Sequence, residues 1–165
     1  MDIFQESQPD FLPISERLQL KKFSDIVPQA LGWYQDEETL RLVDGPDRDP
    51  YSEETLVRMY SVLNQLGELY YIEYKTDNEF RPIGDVTLAI RDLPIVIGDS
   101  ACRGKGIGFQ VVQVLIKRAH NQGLKELYVR EIYGYNTASQ KLFEKCGFIK
   151  DMKTKLGYSY RLMIE

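Results

Sequence analysis

Arg103-Gly-Lys-Gly-Ile-Gly108 stands between an apolar run, Pro94-Ile95-Val96-Ile97, and a helix-period segment that begins at Ile107. A strand, a glycine-rich turn and a helix in that order build an anion site. Glycine lets the backbone bend until several N–H groups share one concavity, and the helix amino end adds partial positive charge. The N–H groups of Gly104, Lys105, Gly106, Ile107, Gly108 and Phe109 are the candidates, and a phosphate or pyrophosphate is the natural guest. A ligand-free tight turn is the alternative, but glycines so closely spaced at a helix start forfeit chain entropy for no packing gain. Arg103 reads either as a partner for phosphate charge or as a solvated side chain. Lys105 reads as a peripheral charge on the loop or a phosphate contact.

A second chemical candidate is Glu131, a carboxylate in the apolar company of Leu127, Val129, Ile132 and Tyr133. Partial burial would raise its pKa toward that of a useful base. The bland reading is a strand-end glutamate paired with Arg130 or a lysine. Asp85 is a rival base. His120, the lone histidine, suits the carboxyl end of a helix. Cys102 and Cys146 read as small fillers and have no metal-ligand spacing.

The elements that must position these groups follow from period and punctuation. Residues 1–13 read as a lead-in and 14–165 as one domain. Ile14 to Phe23 alternates as a strand. Ser24 can cap a helix through Tyr34, Asp36 a short one from Glu37 to Val43, and Ser52 a longer one ended by Gly67. Strands follow at Glu68–Lys75, Arg81–Ile90 and Leu93–Gly98, with a turn at Asp77-Asn78. The helix after the loop places Ile107, Val111, Leu115 and Ala119 on one face. A strand from Leu124 to Tyr133, a helix from Asn136 to Cys146, and strands at Phe148–Thr154 and Tyr158–Ile164 complete an α/β (α+β) mixed sheet with helices on its faces.

The loop fails two common phosphate motifs. Lys105 is followed by Gly106 rather than Ser or Thr, and Phe109 stands where a dinucleotide fingerprint needs Gly or Ala. Arg103-x-x-Gly106-x-Gly108 instead resembles the coenzyme A signature of the GNAT N-acetyltransferase superfamily. Asn136, Ser139, Phe143, Gly147 and Phe148 resemble its second motif. Ser15-Glu-Arg17-Leu18-Gln-Leu20 and Pro82-Ile-Gly84-Asp85-Val-Thr-Leu88 resemble the branch that includes ribosomal-protein N-acetyltransferases.

The resemblance implies a mostly antiparallel twisted sheet and an enzyme that moves acetyl from acetyl-CoA to a primary amine in a ternary complex. It implies that backbone groups of Val96, Ile97 and Gly98 hold the pantetheine arm. Asn136 would orient pantetheine or a water, though it also makes sense as a helix N-cap. Glu131 falls where those relatives carry a catalytic carboxylate. Phe143 departs from the pattern, since many relatives have tyrosine there to protonate the leaving thiolate; either another group such as the nearby Tyr133 or Tyr135 does so, or the thiolate leaves unprotonated and takes a proton from water. The departure keeps open an inactive coenzyme A-binding regulatory or interaction module.

The acceptor end of such a fold would contain Asp36, Glu37, Glu38, Asp44, Asp47, Asp49, Glu53 and Glu54. An acidic mouth favours a cationic amine: a polyamine, an aminoglycoside-like molecule or a basic peptide N-terminus. The same residues also read as N-caps and a solvated loop. A net charge of -4 over 165 residues disfavours nucleic-acid binding. The lack of a long apolar stretch or signal-like start suggests a cytoplasmic protein. The last strand could pair across a homodimer.

Overall fold

The computed structural model describes residues 4–165. In chain order it contains β1 (Phe11–Pro13), β2 (Leu18–Lys22), α1 (Ala30–Trp33), α2 (Glu37–Asp44), α3 (Glu53–Leu66), β3 (Glu68–Thr76), β4 (Glu79–Leu88), β5 (Ile95–Ile97), α4 (Ile107–Asn121), β6 (Glu126–Tyr133), α5 (Thr137–Lys145), β7 (Ile149–Lys153) and β8 (Gly157–Met163). A 3-10 turn, Ser100–Cys102, links β5 to the glycine loop.

The strands form two sheets, β1-β2-β3-β4-β5 and β6-β8-β7, and every pairing in them is antiparallel. The expected α/β architecture, a mostly antiparallel sheet flanked by helices, is what the fold shows. The ladder stops between β5 and β6, whose facing edges make no strand pairing. The first predicted strand also divides. Ile14 and Ser15 both donate to the Leu18 carbonyl at 3.0 Å, so the chain reverses there. Part of the expected lead-in becomes β1, paired with β2. The first helix begins at Ala30 rather than after Ser24, because Pro28 lacks an N–H and disfavours helical backbone at Val27.

Period-two alternation divides the core between the faces of the large sheet. Tyr70 and Ile72 of β3 join Leu18, Leu20 and the α4 residues Val111, Val112, Leu115 and Ala119. Leu69 and Tyr71 point the other way, to Trp33, Tyr34, Leu56 and Tyr60 from the α1–α3 side. One charged contact fixes α4 on its face. Arg118 Nε and Nη2 donate to the two carboxylate oxygens of Glu68 at 2.6 and 2.7 Å, and both side chains are buried. Tyr70 adds a hydroxyl donation to Glu68 at 2.8 Å. Arg118→Met would leave the Glu68 charge buried without its counterion. We expect a loss of about 3–5 kcal/mol in stability, read from urea denaturation midpoints.

Candidate active site

A cleft of about 780 Å³ opens where the two sheets part. Residues 92–97 form one wall and residues 129–133 the other; the glycine loop, α2 and α5 complete it. Asp92 joins the walls at one end, since its Oδ1 accepts from Arg130 N at 2.9 Å and from Leu93 N at 3.0 Å. Register decides which β5 groups face the opening. Thr87 N donates to Pro94 O and Gly98 N to Ile83 O, so Asp85 and Val96 between them form the hydrogen-bonded pair. The backbone of Val96 therefore faces β4, while that of Ile95 and Ile97 faces the cleft.

The glycine loop has the conformation an anion site needs. Gly104 and Gly106 have φ of 74° and 76°, a left-handed backbone that side chains disfavour. Gly106 is the N-cap of α4 and offers no side chain to cap it. The longer helices α2, α3 and α5 are each capped, by Asp36, Ser52 and Asn136. Gln110 N, donating to Gly106 O, makes the first bond of α4. The N–H groups of Ile107, Gly108 and Phe109 thus remain available at a positively polarised helix end beside the cleft.

On the opposite wall, β6 bulges. Val129 pairs with Tyr160 and Ile132 with Tyr158, so Arg130 and Glu131 together face the single residue Ser159. The bulge sets Glu131 in the cleft lining, half-buried, with its Oε2 accepting from Leu156 N at 3.1 Å. Tyr133, two residues on, also lines the cleft. Burial, followed by the charges of Glu131 and Asp44, pushes its hydroxyl pKa above the ordinary value. Phe143 forms part of the lining and is buried edge-on against Phe148, with ring centroids 5.2 Å apart.

The sequence profile of the acetyltransferase (GNAT) family matches residues 27–148, a span that contains β5, the loop, β6 and α5. The chain belongs to the GNAT family. It is 34% identical over 109 residues to YwnH of Bacillus subtilis (strain 168), a protein provisionally named a phosphinothricin acetyltransferase; the match covers 62% of this chain and 66% of that one. A domain from Methanocaldococcus jannaschii DSM 2661 shares the fold with a TM-score of 0.78 at 22% identity, over 90% of this chain and 99% of that one. The ribosomal L7/L12 α-N-protein acetyltransferase RimL shares it at 0.72 and 21%, over 93% and 94%. The aminoglycoside acetyltransferase AAC(6')-Ib, solved with ribostamycin and coenzyme A, shares it at 0.73 and 14%, over 90% and 94%.

In this GNAT chain several sequence-assigned residues take positions other than those expected. Gly98 does not line the cleft; its N–H is bound to Ile83, and a Cβ there would lie 2.1 Å from Trp33 Cγ. Arg103 lines the cleft, but its Nε donates to Ile97 O at 2.9 Å and its Nη2 to Thr39 Oγ1 at 2.7 Å. It ties β5 to α2. Lys105 turns toward the Tyr74 ring, 5.8 Å from its centroid, and does not line the cleft. Asn136 does line it, with its amide shared between Ser139 N and Leu42 O. Tyr135 lies outside, donating its hydroxyl to Arg41 O at 2.6 Å. Of the acidic residues at 36–54, Asp44 lines the cleft, accepting from Tyr51 Oη at 3.0 Å. Of the two tyrosines named as substitutes, Tyr133 lines the cleft; Ile95, which also lines it, was not among the assigned site residues. Alternation of backbone groups along β5 pairs Ile95 with Ile97, but register with β4 decides that this pair faces the cleft.

Asp85 is also set apart. Its carboxyl is enclosed in the core on the α1–α3 side and accepts from the hydroxyls of Tyr34 and Tyr60 at 2.8 Å each. Burial raises its pKa from 3.8 to about 6, against the lowering effect of the two hydroxyls. The folded state therefore holds this proton more tightly than the unfolded chain. The resulting stabilisation is complete below about pH 4 and is lost as pH rises through 6, a change of about 3 kcal/mol. Asp85→Asn cannot titrate, and the cost of its buried amide is independent of pH. We expect the stability of the native protein minus that of Asp85→Asn to fall by about that amount between pH 4 and pH 7, in urea titrations across the range.

Proposed function

We propose that the protein transfers the acetyl group of acetyl-CoA to a cationic primary amine by direct attack in a ternary complex. The observation that carries this reading is the cleft between unpaired β5 and β6, with the uncapped end of α4 on its border and Glu131 in its wall. The N–H groups of residues 104–109 hold the pyrophosphate. The cleft-facing backbone of β5, the Ile95 N–H and C=O and the Ile97 N–H, takes the amide groups of the pantetheine arm, so that the thioester lies between the walls.

Glu131 removes the ammonium proton, directly or through water. Its orientation by Leu156 N keeps one carboxylate oxygen engaged and leaves the other for the acceptor. The amine nitrogen attacks the thioester carbon, the carbon–sulfur bond breaks, and the electron pair leaves on sulfur; the nitrogen, cationic after attack, releases its second proton to water, from which the donor to sulfur is afterwards re-protonated. Tyr133, which lines the cleft, protonates that thiolate, a task that Phe143 cannot perform. Asp44 and Glu131 make the acceptor region electronegative, which supports a polyamine, an aminoglycoside-like molecule or a basic peptide N-terminus. The names of AAC(6')-Ib and RimL, which share the fold, join aminoglycosides and protein N-termini to it.

Acetyl-CoA turnover against a panel of such amines, with products read by mass, tests the reading. Glu131→Gln retains an acceptor for Leu156 N. It should lower kcat by about 10²- to 10⁴-fold while leaving coenzyme A affinity within about twofold. Normal turnover by this variant would remove Glu131 as the base. Coenzyme A binding without acetylation of any amine would favour a regulatory module. Tyr133→Phe should lower kcat by about tenfold or more with little change in KM for acetyl-CoA, measured on the best acceptor.

A further inference from the structure

Coenzyme A carries a pyrophosphate and a separate 3′-phosphate, and the two loop cations are turned to other partners, Lys105 outside the cleft lining. Arg103 is committed to Ile97 and Thr39, and Lys105 lies over Tyr74. Backbone amides and a helix end can cradle a pyrophosphate, but they leave a second, dianionic phosphate without a counterion. The cations that line the cleft are Arg103, Arg130, Lys141 and Lys145. Arg130 belongs to the end where its own backbone joins Asp92.

Lys141 and Lys145 remain. They stand one turn apart on α5 and therefore share a face. Both are exposed, and neither enters an ion pair among the described residues. Their helix abuts the anion loop, since Leu142 Cδ2 would lie 3.1 Å from a Cβ at Gly108. Lys145 Nζ sits 4.3 Å from the ring centroid of Phe109 in the first turn of α4. That contact fixes the ammonium beside the open amides while leaving its remaining hydrogens for a ligand.

We infer that Lys141 and Lys145 bind the 3′-phosphate of coenzyme A and make the cleft select the cofactor over its 3′-dephospho form. This rests on the acetyl-CoA reading above. The loop amides hold the compact pyrophosphate. The lysines are flexible point charges on a neighbouring wall, suited to a phosphomonoester at the nucleotide end.

The test is calorimetric binding of coenzyme A and of 3′-dephospho-coenzyme A. It would use the native protein, Lys141→Gln, Lys145→Gln and the double variant, with thermal unfolding to verify folding. The native protein should prefer coenzyme A by about tenfold or more. In the folded double variant that preference should collapse to about one, with dephospho-coenzyme A affinity unchanged and each single variant between the extremes. A preference retained in the double variant overturns the inference. So does equal weakening of both ligands, which would put the lysines on the pyrophosphate. If the native protein binds neither ligand, the cofactor reading itself fails, a result distinct from the other two.

Discussion

The interrupted ladder between β5 and β6 is the constraint from which the site follows. Paired, these strands would fill the cleft with their own hydrogen bonds. Unpaired, they keep backbone donors and acceptors available to a ligand that is itself amide-rich. Such an edge must be held apart, because exposed strand edges tend to find partners. Asp92 ties the walls together at one end by accepting from both Leu93 and Arg130. Near the loop, α2 braces them. Arg103 reaches it from the β5 side through Thr39, while Tyr135 and Asn136 reach it from the β6–α5 side through the carbonyls of Arg41 and Leu42. Each bond is worth only about 1 kcal/mol net. Their arrangement fixes the position of one helix against both walls.

This bracing gives Arg103 a structural role that residue type alone did not show. An arginine at the edge of an anion loop has the charge for phosphate, but its fork also fits two oxygen acceptors. Thr39 Oγ1 is already oriented, since it donates to Asp36 Oδ2 at 2.8 Å. The Thr39 bonds, with a smaller contribution from Arg103, hold the Asp36 carboxyl below its ordinary pKa. A charged N-cap, a threonine and an arginine thus connect the start of α2 to the cleft-facing carbonyl of Ile97.

Features governed by local chemistry were legible in the sequence. Asp36 and Ser52 mark the starts of α2 and α3 because an N-cap bond spans only a few residues. The turn at Asp77-Asn78 was visible for the same reason, and both residues take positive φ. Features governed by register or by distant partners were not legible in this way. Which β5 groups face the cleft depends on alignment with β4, and β1 is a strand only because β2 lies beside it. The β6 bulge left a trace, since the apolar positions run Leu127, Val129 and then Ile132. That slip of phase moves the buried side from odd to even residues and brackets Glu131. Pro28 likewise signalled the late start of α1. For Lys105 the sequence left a peripheral charge and a phosphate contact both open, because its direction depends on Tyr74, far off in the chain.

Phe143 fits a reaction whose proton chemistry resides on β6 rather than α5. Its ring is buried against Phe148, and a hydroxyl is not required there if Tyr133 serves the leaving sulfur. Glu131 and Tyr133 both line the cleft, and the negative charge of Glu131 is one cause of the raised tyrosine pKa. In the proposed mechanism that charge disappears when Glu131 takes the amine proton. The tyrosine then becomes a stronger acid at the stage when a thiolate is about to leave. Removal of a proton from the acceptor is thereby coupled electrostatically to delivery of one to sulfur, without a proton passing between the two side chains. The bulge makes this arrangement available by placing the carboxylate and the hydroxyl on the same wall.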